Sequence, residues 1–118
     1  SADIELVARG VTFSAAGTAG QRCTTLRRLI THRSRLDEVL GRLTTAYGSL
    51  PVGSPLEKGT LVGPLVTTTA LDRMQAALAT AQADGGSVVV GGTRELADEA
   101  PDAAYVRPAL VTMPGHQR

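Results

Sequence analysis

The one cysteine of the chain, Cys23, lies among glycines and hydroxyl residues in the segment GTAGQRCTT, residues 17–25. A cysteine acts as a nucleophile through its thiolate, and neighbouring cations favour that form. Arg22 supplies such a cation, and Gly20 allows close approach of the backbone and of a substrate. Backbone N–H groups in such a turn can donate to an oxyanion. The segment therefore predicts a nucleophilic thiol; the alternative is a non-catalytic module in which Cys23 is buried packing.

Arg22 itself has three interpretations. Its charge can stabilise the neighbouring thiolate. Its guanidinium can instead bind the carboxylate of a substrate, because the two groups match in a two-pronged geometry. It can also form a structural salt bridge, which is a common role for arginines near a surface.

Composition limits the classes of function. The chain has 118 residues, of which 42% are apolar and only 3% aromatic, and its net charge is +1. It therefore suits one domain, or part of one, with an aliphatic core. The weak charge and the scarcity of aromatics argue against nucleic-acid binding. No apolar run is long enough for a membrane span, and a single cysteine fits a reducing compartment, so we expect a cytoplasmic protein.

Apolar periodicity and turn residues predict three helices and three strands. The helices are expected over residues 2–19, 34–50 and 67–84, and the strands over 26–32, 87–90 and 105–112. Ser34 is the expected cap of the second helix, with Asp37 three residues later. An ordered loop is expected over residues 51–66. Strands that alternate with helices predict an α/β fold with a mostly parallel sheet flanked by helices.

Other candidate sites are weaker. A Cys–His hydrolase would need His32 or His116 beside Cys23, but an intervening strand would place His32 about 30 Å away. The glycine pairs 85–86 and 91–92 lack the lysine and hydroxyl residue of a phosphate-binding loop, and they fit a helix end and a tight turn better. No spacing of residues indicates a metal site.

The segment around Cys23 resembles the cysteine signature of the aldehyde dehydrogenase superfamily. AGTAGQRCTT carries its Gly-Gln-x-Cys motif after a helix of small residues. LRRLITH resembles the next strand, VGSPLEKGTLVGPLV the loop that ends in Gly-Pro, GGSVVVGG the glycine-bounded strand and AYVRPALVTMP the last strand. The Gly-Gln-Arg-Cys-Thr-Thr wording, including Thr25 where many members have a smaller residue or Asn, is similar to the antiquitin-like subgroup.

The resemblance implies a mechanism. Cys23 would attack an aldehyde to give a thiohemiacetal, whose oxyanion is held by the backbone N–H of Cys23 and by an asparagine. Hydride transfer to NAD or NADP would give a thioester, which water hydrolyses to the carboxylic acid. The antiquitin-like subgroup oxidises α-aminoadipic semialdehyde and piperideine-6-carboxylate, and there the arginine matching Arg22 is associated with the substrate carboxylate.

The resemblance also implies that residues 1–118 are a partial, thiol-bearing catalytic domain. The asparagine, the glutamate of the ELGG motif and the nucleotide-binding and oligomerisation segments are expected outside it, and we expect the fragment alone to be inactive. None of its glutamates lies in a family motif: Glu5, Glu38, Glu57, Glu95 and Glu99. We expect a homo-oligomer of the full-length protein, exposed apolar surface on this fragment and a small aldehyde as substrate. A thiol-dependent hydrolase without nicotinamide remains an alternative.

Overall fold

A computed structural model describes residues 1–115 of the chain. Its regular elements are three helices and two strands: α1 (Ile4–Ala16), α2 (Leu36–Gly48), α3 (Thr68–Ala83), β1 (Ser87–Val90) and β2 (Leu110–Thr112). Short 3₁₀ turns cover Gly17–Gly20 and Arg33–Arg35. Each predicted helix is therefore present but two to five residues shorter than expected from its pattern. Helices together with a small sheet confirm the α/β class.

The starts of α1 and α2 are stabilised in different ways. Asp3 caps α1 by accepting a hydrogen bond from the Leu6 N–H at 3.1 Å, and its carboxylate also favours the positive end of the helix dipole. The capping box at Ser34 is wrong. The Ser34 N–H donates to His32 Nδ1 at 3.2 Å, and α2 begins only at Leu36, after the 3₁₀ turn. Side-chain bonding within this short turn delays the helix by one half-turn.

Two apolar clusters hold the elements together. The first consists of Val39, Leu43 and Tyr47 on one face of α2, and apolar side chains of α1, β1 and β2 pack against it. The spacing of four residues puts all three on the same side of the helix. The second cluster is formed by Leu71 of α3 with Ala104 and Val106. The apolar stripes of the three helices therefore face the core, as their periodicity predicts.

The sheet differs from the prediction. β1 and β2 pair antiparallel, with Val88 opposite Val111, and a bulge lies between Val88 and Val90. The mostly parallel arrangement is therefore wrong for residues 1–115, whose one named sheet has two strands. No helix intervenes between these two strands, and a segment without a helical crossover returns in the antiparallel sense. The predicted strand over 105–112 is regular only over its last three residues.

The predicted strand over residues 26–32 is also absent. The segment has no regular secondary structure, and Leu29 and Ile30 on it are exposed. Its backbone hydrogen bonds to other parts of residues 1–115 lie only at its two ends: the Leu26 N–H donates to the Ser14 carbonyl at 3.0 Å, and the Arg35 N–H donates to the His32 carbonyl at 2.9 Å. A strand pattern needs a partner for its N–H and C=O groups, and the described residues supply none.

The loop over residues 51–66 is ordered, as predicted. Val52 and Val62 form a parallel bridge, and the Gly53 N–H donates to the Val62 carbonyl at 3.0 Å. The loop ends where the Leu65 N–H donates to the Ala104 carbonyl at 2.9 Å, beside the second apolar cluster. This end of the loop is thus a fixed point for the segment that contains Cys23.

Candidate functional site

The backbone changes from a right-handed to a left-handed helical conformation shortly before the cysteine. Thr18, Ala19 and Gly20 have φ of 56°, 53° and 72°, which places three successive residues in the left-handed region. Glycine adopts this conformation freely, but for each of the other two residues it costs about 1–2 kcal/mol. The strained turn ends α1 and directs the backbone away from the helix axis, so that Cys23 follows in a loop.

The side chain of Gln21 ties this turn to the end of the 51–66 loop. Its Nε2 donates to the Thr18 carbonyl at 3.1 Å and to the Pro64 carbonyl at 3.4 Å, while its Oε1 accepts from the Val66 N–H at 2.8 Å. The Gln21 N–H also donates to the Thr18 carbonyl, at 3.1 Å. These bonds offset part of the strain and fix the backbone two residues before the thiol.

Cys23 occupies the tip of a tight turn. The Thr25 N–H donates to the Arg22 carbonyl at 3.1 Å, and the Arg22 N–H donates to Thr25 Oγ1 at the same distance. Cys23 is a free, exposed cysteine, so it is not the buried packing residue of the alternative interpretation. Among the backbone hydrogen bonds of residues 1–115, none is donated by the Cys23 N–H.

The guanidinium of Arg22 is held by two groups from earlier in the chain. Its Nε donates to Thr18 Oγ1 at 2.6 Å, and its Cζ lies 5.9 Å from the centre of the Phe13 ring. The second contact is within the range of a cation–π interaction. The three ion pairs that join residues of the described chain do not include Arg22. Within residues 1–115, therefore, the structural salt bridge considered for Arg22 is not formed.

A groove of about 720 Å³ opens between α1 and α2, and Arg22, Phe13 and Thr18 lie along its wall. Cys23 is not among its lining residues. The remaining lining is largely apolar and comes from both helices and from the 51–66 loop. Arg22 thus belongs both to the cysteine turn and to a concave surface large enough for a small organic molecule.

The other candidate residues do not gather at this site. His32 Nδ1 lies 2.8 Å from Ser34 Oγ, and His116 lies outside the described residues. Across residues 1–115 there is no cluster of three or more His, Cys, Asp or Glu side chains that could hold a metal ion. None of the described helices has the length and apolar character that a bilayer span requires.

The glycine pairs do not fit a nucleotide phosphate either. Gly85, with φ of 90°, and Gly86 end α3, where the Gly86 N–H donates to the Ala81 carbonyl at 2.8 Å. Gly91 packs against the Pro108 carbonyl, where a β-carbon would collide with the oxygen. At both pairs, other residues of the chain occupy the space beside the glycines. This agrees with their interpretation as a helix end and a turn. Neither pair therefore forms a loop that could hold a nucleotide phosphate.

Sequence reasoning named Cys23 and Arg22 but missed three residues that hold them. The amide of Gln21 could have been suspected, because a polar side chain beside a sharp turn commonly satisfies loop backbone groups. No local signal identifies Thr18, since β-branched residues rarely adopt positive φ. Phe13 lies 71% exposed on α1, and only the turn that brings Arg22 back towards the helix reveals its contact.

Comparison with known proteins identifies the family of the chain. The sequence matches the profile of the Aldehyde dehydrogenase family over residues 1–117. It is 45% identical over 111 residues to alpha-aminoadipic semialdehyde dehydrogenase of Bos taurus, covering 94% of this chain and 20% of that protein. With aldehyde dehydrogenase family 7 member A1 of Brassica napus the identity is 50% over 91 residues, covering 77% of this chain and 18% of that protein.

Solved structures give the same result. Succinate-semialdehyde dehydrogenase from Burkholderia pseudomallei superposes with a TM-score of 0.87 at 28% identity, covering 95% of this chain and 22% of that one. PnpE from Pseudomonas sp. WBC-3 gives a TM-score of 0.90 at 29% identity, covering 99% and 24%. The chain spans about a fifth of the length of these relatives. It belongs to the aldehyde dehydrogenase family and, within it, is antiquitin-like.

Proposed function

We propose that the full-length protein containing this chain oxidises an aldehyde to a carboxylic acid, with Cys23 as the nucleophile. The observation that carries the proposal is the placement of Cys23: an exposed thiol at the tip of a turn whose flanks are fixed by hydrogen bonds. A nucleophile needs access and a defined position, and both are present here. Membership of the aldehyde dehydrogenase family supplies the reaction class.

The first step is attack of the Cys23 sulfur on the aldehyde carbon. The thiol proton is lost, a C–S bond forms, and the carbonyl oxygen becomes an oxyanion. The Cys23 N–H, which bonds to no other backbone group of residues 1–115, can donate to that oxygen. A fixed backbone donor stabilises charge as it develops and requires no reorganisation during the reaction.

Completion of the oxidation needs a two-electron acceptor. NAD or NADP is the hydride acceptor implied by the family, and no residue of this chain is assigned to it. Cys23 then holds the acyl group as a thioester, and hydrolysis by water breaks the C–S bond, releases the carboxylic acid and restores the thiol. The base that activates this water is likewise not assigned within the chain.

The position of Arg22 favours a substrate that carries a carboxylate as well as an aldehyde. No ion pair within residues 1–115 engages its guanidinium, which lies one residue from the nucleophile and on the wall of the groove. Relatives are named for α-aminoadipic semialdehyde and succinate semialdehyde, and both compounds combine an aldehyde with a carboxylate. We therefore assign a semialdehyde of this class as substrate, with α-aminoadipic semialdehyde of lysine catabolism first among the candidates.

The surface of the described chain supports association with further protein. Several large apolar side chains away from Arg22 are more than half exposed: Leu6, Ile30, Leu56, Leu61 and Val66. Apolar groups in this number are characteristic of surfaces that pack against other segments or subunits. We assign them to contacts with the nucleotide-binding and oligomerisation segments of the full-length homo-oligomer.

The direct test is Cys23→Ser in the full-length protein. Oxidation of α-aminoadipic semialdehyde with NAD should fall by at least about 10³-fold, because serine lacks the nucleophilicity of a thiolate. Intact-mass analysis should detect an acyl adduct on the unsubstituted protein and none on the variant. Retained activity in the variant would disprove the role of Cys23. Nucleotide-independent ester hydrolysis, with no oxidation, would favour a thiol hydrolase.

A further inference from the structure

We propose that Thr18 and Phe13 are positioning residues that aim the Arg22 guanidinium at the substrate carboxylate. This inference rests on the proposed function, because it assumes that Arg22 binds that carboxylate. It adds two residues to the site that lie five and ten positions before the cysteine and have no reactive groups of their own.

Thr18 selects which edge of the guanidinium is presented. Its hydroxyl accepts from Nε of Arg22 at 2.6 Å, a short distance for a charge-assisted hydrogen bond. With Nε engaged, the two terminal amino groups remain to bind the two oxygens of a carboxylate. The left-handed conformation of Thr18, with φ of 56°, orients this hydroxyl and is itself maintained by Gln21.

Phe13 restricts the same guanidinium from another direction. One face of the ring is directed towards the cation, and Cζ of Arg22 lies 5.9 Å from the ring centre. An arginine side chain has about 2 kcal/mol of rotamer entropy, most of which it must lose to bind a ligand in one geometry. Contacts made before the substrate arrives reduce that loss, and so they raise affinity without touching the substrate.

The test compares a carboxylate-bearing semialdehyde with a neutral aldehyde of equal chain length, using the full-length enzyme. The measured quantity is the ratio of kcat/KM for the two substrates. Thr18→Val keeps the β-branched shape but removes the acceptor, and we expect it to lower the ratio about 3–10-fold, chiefly through KM for the semialdehyde. Thr18→Ser retains the hydroxyl and should keep the ratio close to that of the unsubstituted enzyme.

Phe13 has its own pair of variants. Phe13→Leu removes the aromatic face and should lower the ratio about 2–5-fold, as expected for an exposed cation–π contact. Phe13→Tyr keeps the face and should preserve the ratio. Thr80→Val is the matched control, since the Thr80 hydroxyl donates only to the Ala76 carbonyl within α3, at 3.0 Å. It should leave both substrates unaffected.

Arg22→Gln separates the two hypotheses. If it leaves the ratio unchanged, Arg22 does not bind the carboxylate and the substrate assignment fails. If Arg22→Gln lowers the ratio at least tenfold while Thr18→Val and Phe13→Leu leave it unchanged, the positioning role is wrong and the substrate assignment stands. If Thr18→Val lowers kcat/KM equally for both aldehydes, Thr18 supports the turn in general, and the inference is again wrong.

Discussion

The cysteine segment, Gly17–Thr25, and helix α2 are held in place by opposite means. Helix α2 is fixed by burial: Leu43 is 1% exposed, and Val39 and Tyr47 pack beside it on the same face. The cysteine segment contains no fully buried residue. It relies on hydrogen bonds from Gln21, Thr18 and Thr25, and it includes two non-glycine residues in a costly left-handed conformation.

This difference separates stability from site geometry. Burial is non-directional and acts on the whole core, so its loss spreads through every element that shares the cluster. A side-chain hydrogen bond is directional and fixes one pair of groups. The buried cluster on α2 thus determines the stability of the fold, whereas the hydrogen bonds of the cysteine segment determine the position of the Cys23 sulfur. Three substitutions test this distinction, and they are given in order of decreasing effect.

Leu43→Ala should produce the largest loss of stability. Removing a fully buried leucine side chain costs about 2–5 kcal/mol, because apolar contact is lost and a cavity remains. Amide exchange measured by mass spectrometry on the full-length protein should accelerate throughout α1 and α2, which share this cluster. Leu43→Met conserves volume and should cost less than about 1.5 kcal/mol. Acceleration confined to the immediate neighbours of Leu43 would contradict a shared core.

Gln21→Ala should have a smaller and local effect. The Val66 N–H would lose its acceptor at 2.8 Å, and a net bond of this kind contributes about 1 kcal/mol. We expect about fivefold faster exchange at Val66 and unchanged exchange in α2. Gln82→Ala, an exposed glutamine on α3, is the matched control and should alter neither. Faster exchange throughout α2 in Gln21→Ala would show that the cysteine segment is part of the main core after all.

The smallest expected effect is at Tyr47, where a substitution should change how the stability of the protein depends on pH. Burial raises the pKa of the Tyr47 hydroxyl above its usual value of 10.0. The folded protein thus holds this proton more tightly than the unfolded chain does. Its contribution to stability is complete below pH 10 and falls as the pH rises towards the folded pKa. Tyr47→Phe should therefore lose less thermal stability than the unsubstituted protein between pH 9 and 11; equal slopes would contradict this account.

Much of the fold could be predicted from local sequence. The stripe of Val39, Leu43 and Tyr47 marks the buried face of α2, and Gly85 marks the end of α3, since each depends on its own helix. The strand predicted over residues 26–32 is wrong for the described structure. Its β-branched residues favour extended backbone, but a strand also needs a hydrogen-bonded partner, and no such partner lies among residues 1–115.

The sequence identified the candidate residues with reactive or charged groups, but not the residues that hold them in place. Cys23 and Arg22 have reactive or charged groups that can be recognised one residue at a time. Thr18 contacts Arg22 because a run of positive φ places its hydroxyl beside the guanidinium. Threonine rarely adopts positive φ, so the sequence does not indicate this conformation. Contacts that depend on an unusual backbone arrangement are visible only in three dimensions.

The reversed helical hand over Thr18–Gly20 has a consequence for protein engineering. Ala19 has a β-carbon in a conformation that penalises it, with φ of 53°. Glycine at this position would relieve about 1–2 kcal/mol of backbone strain. Its greater conformational freedom in the unfolded chain would offset part of that stabilisation. Stabilisation of the protein can therefore begin at a position that has neither charge nor reactive group, four residues before Cys23.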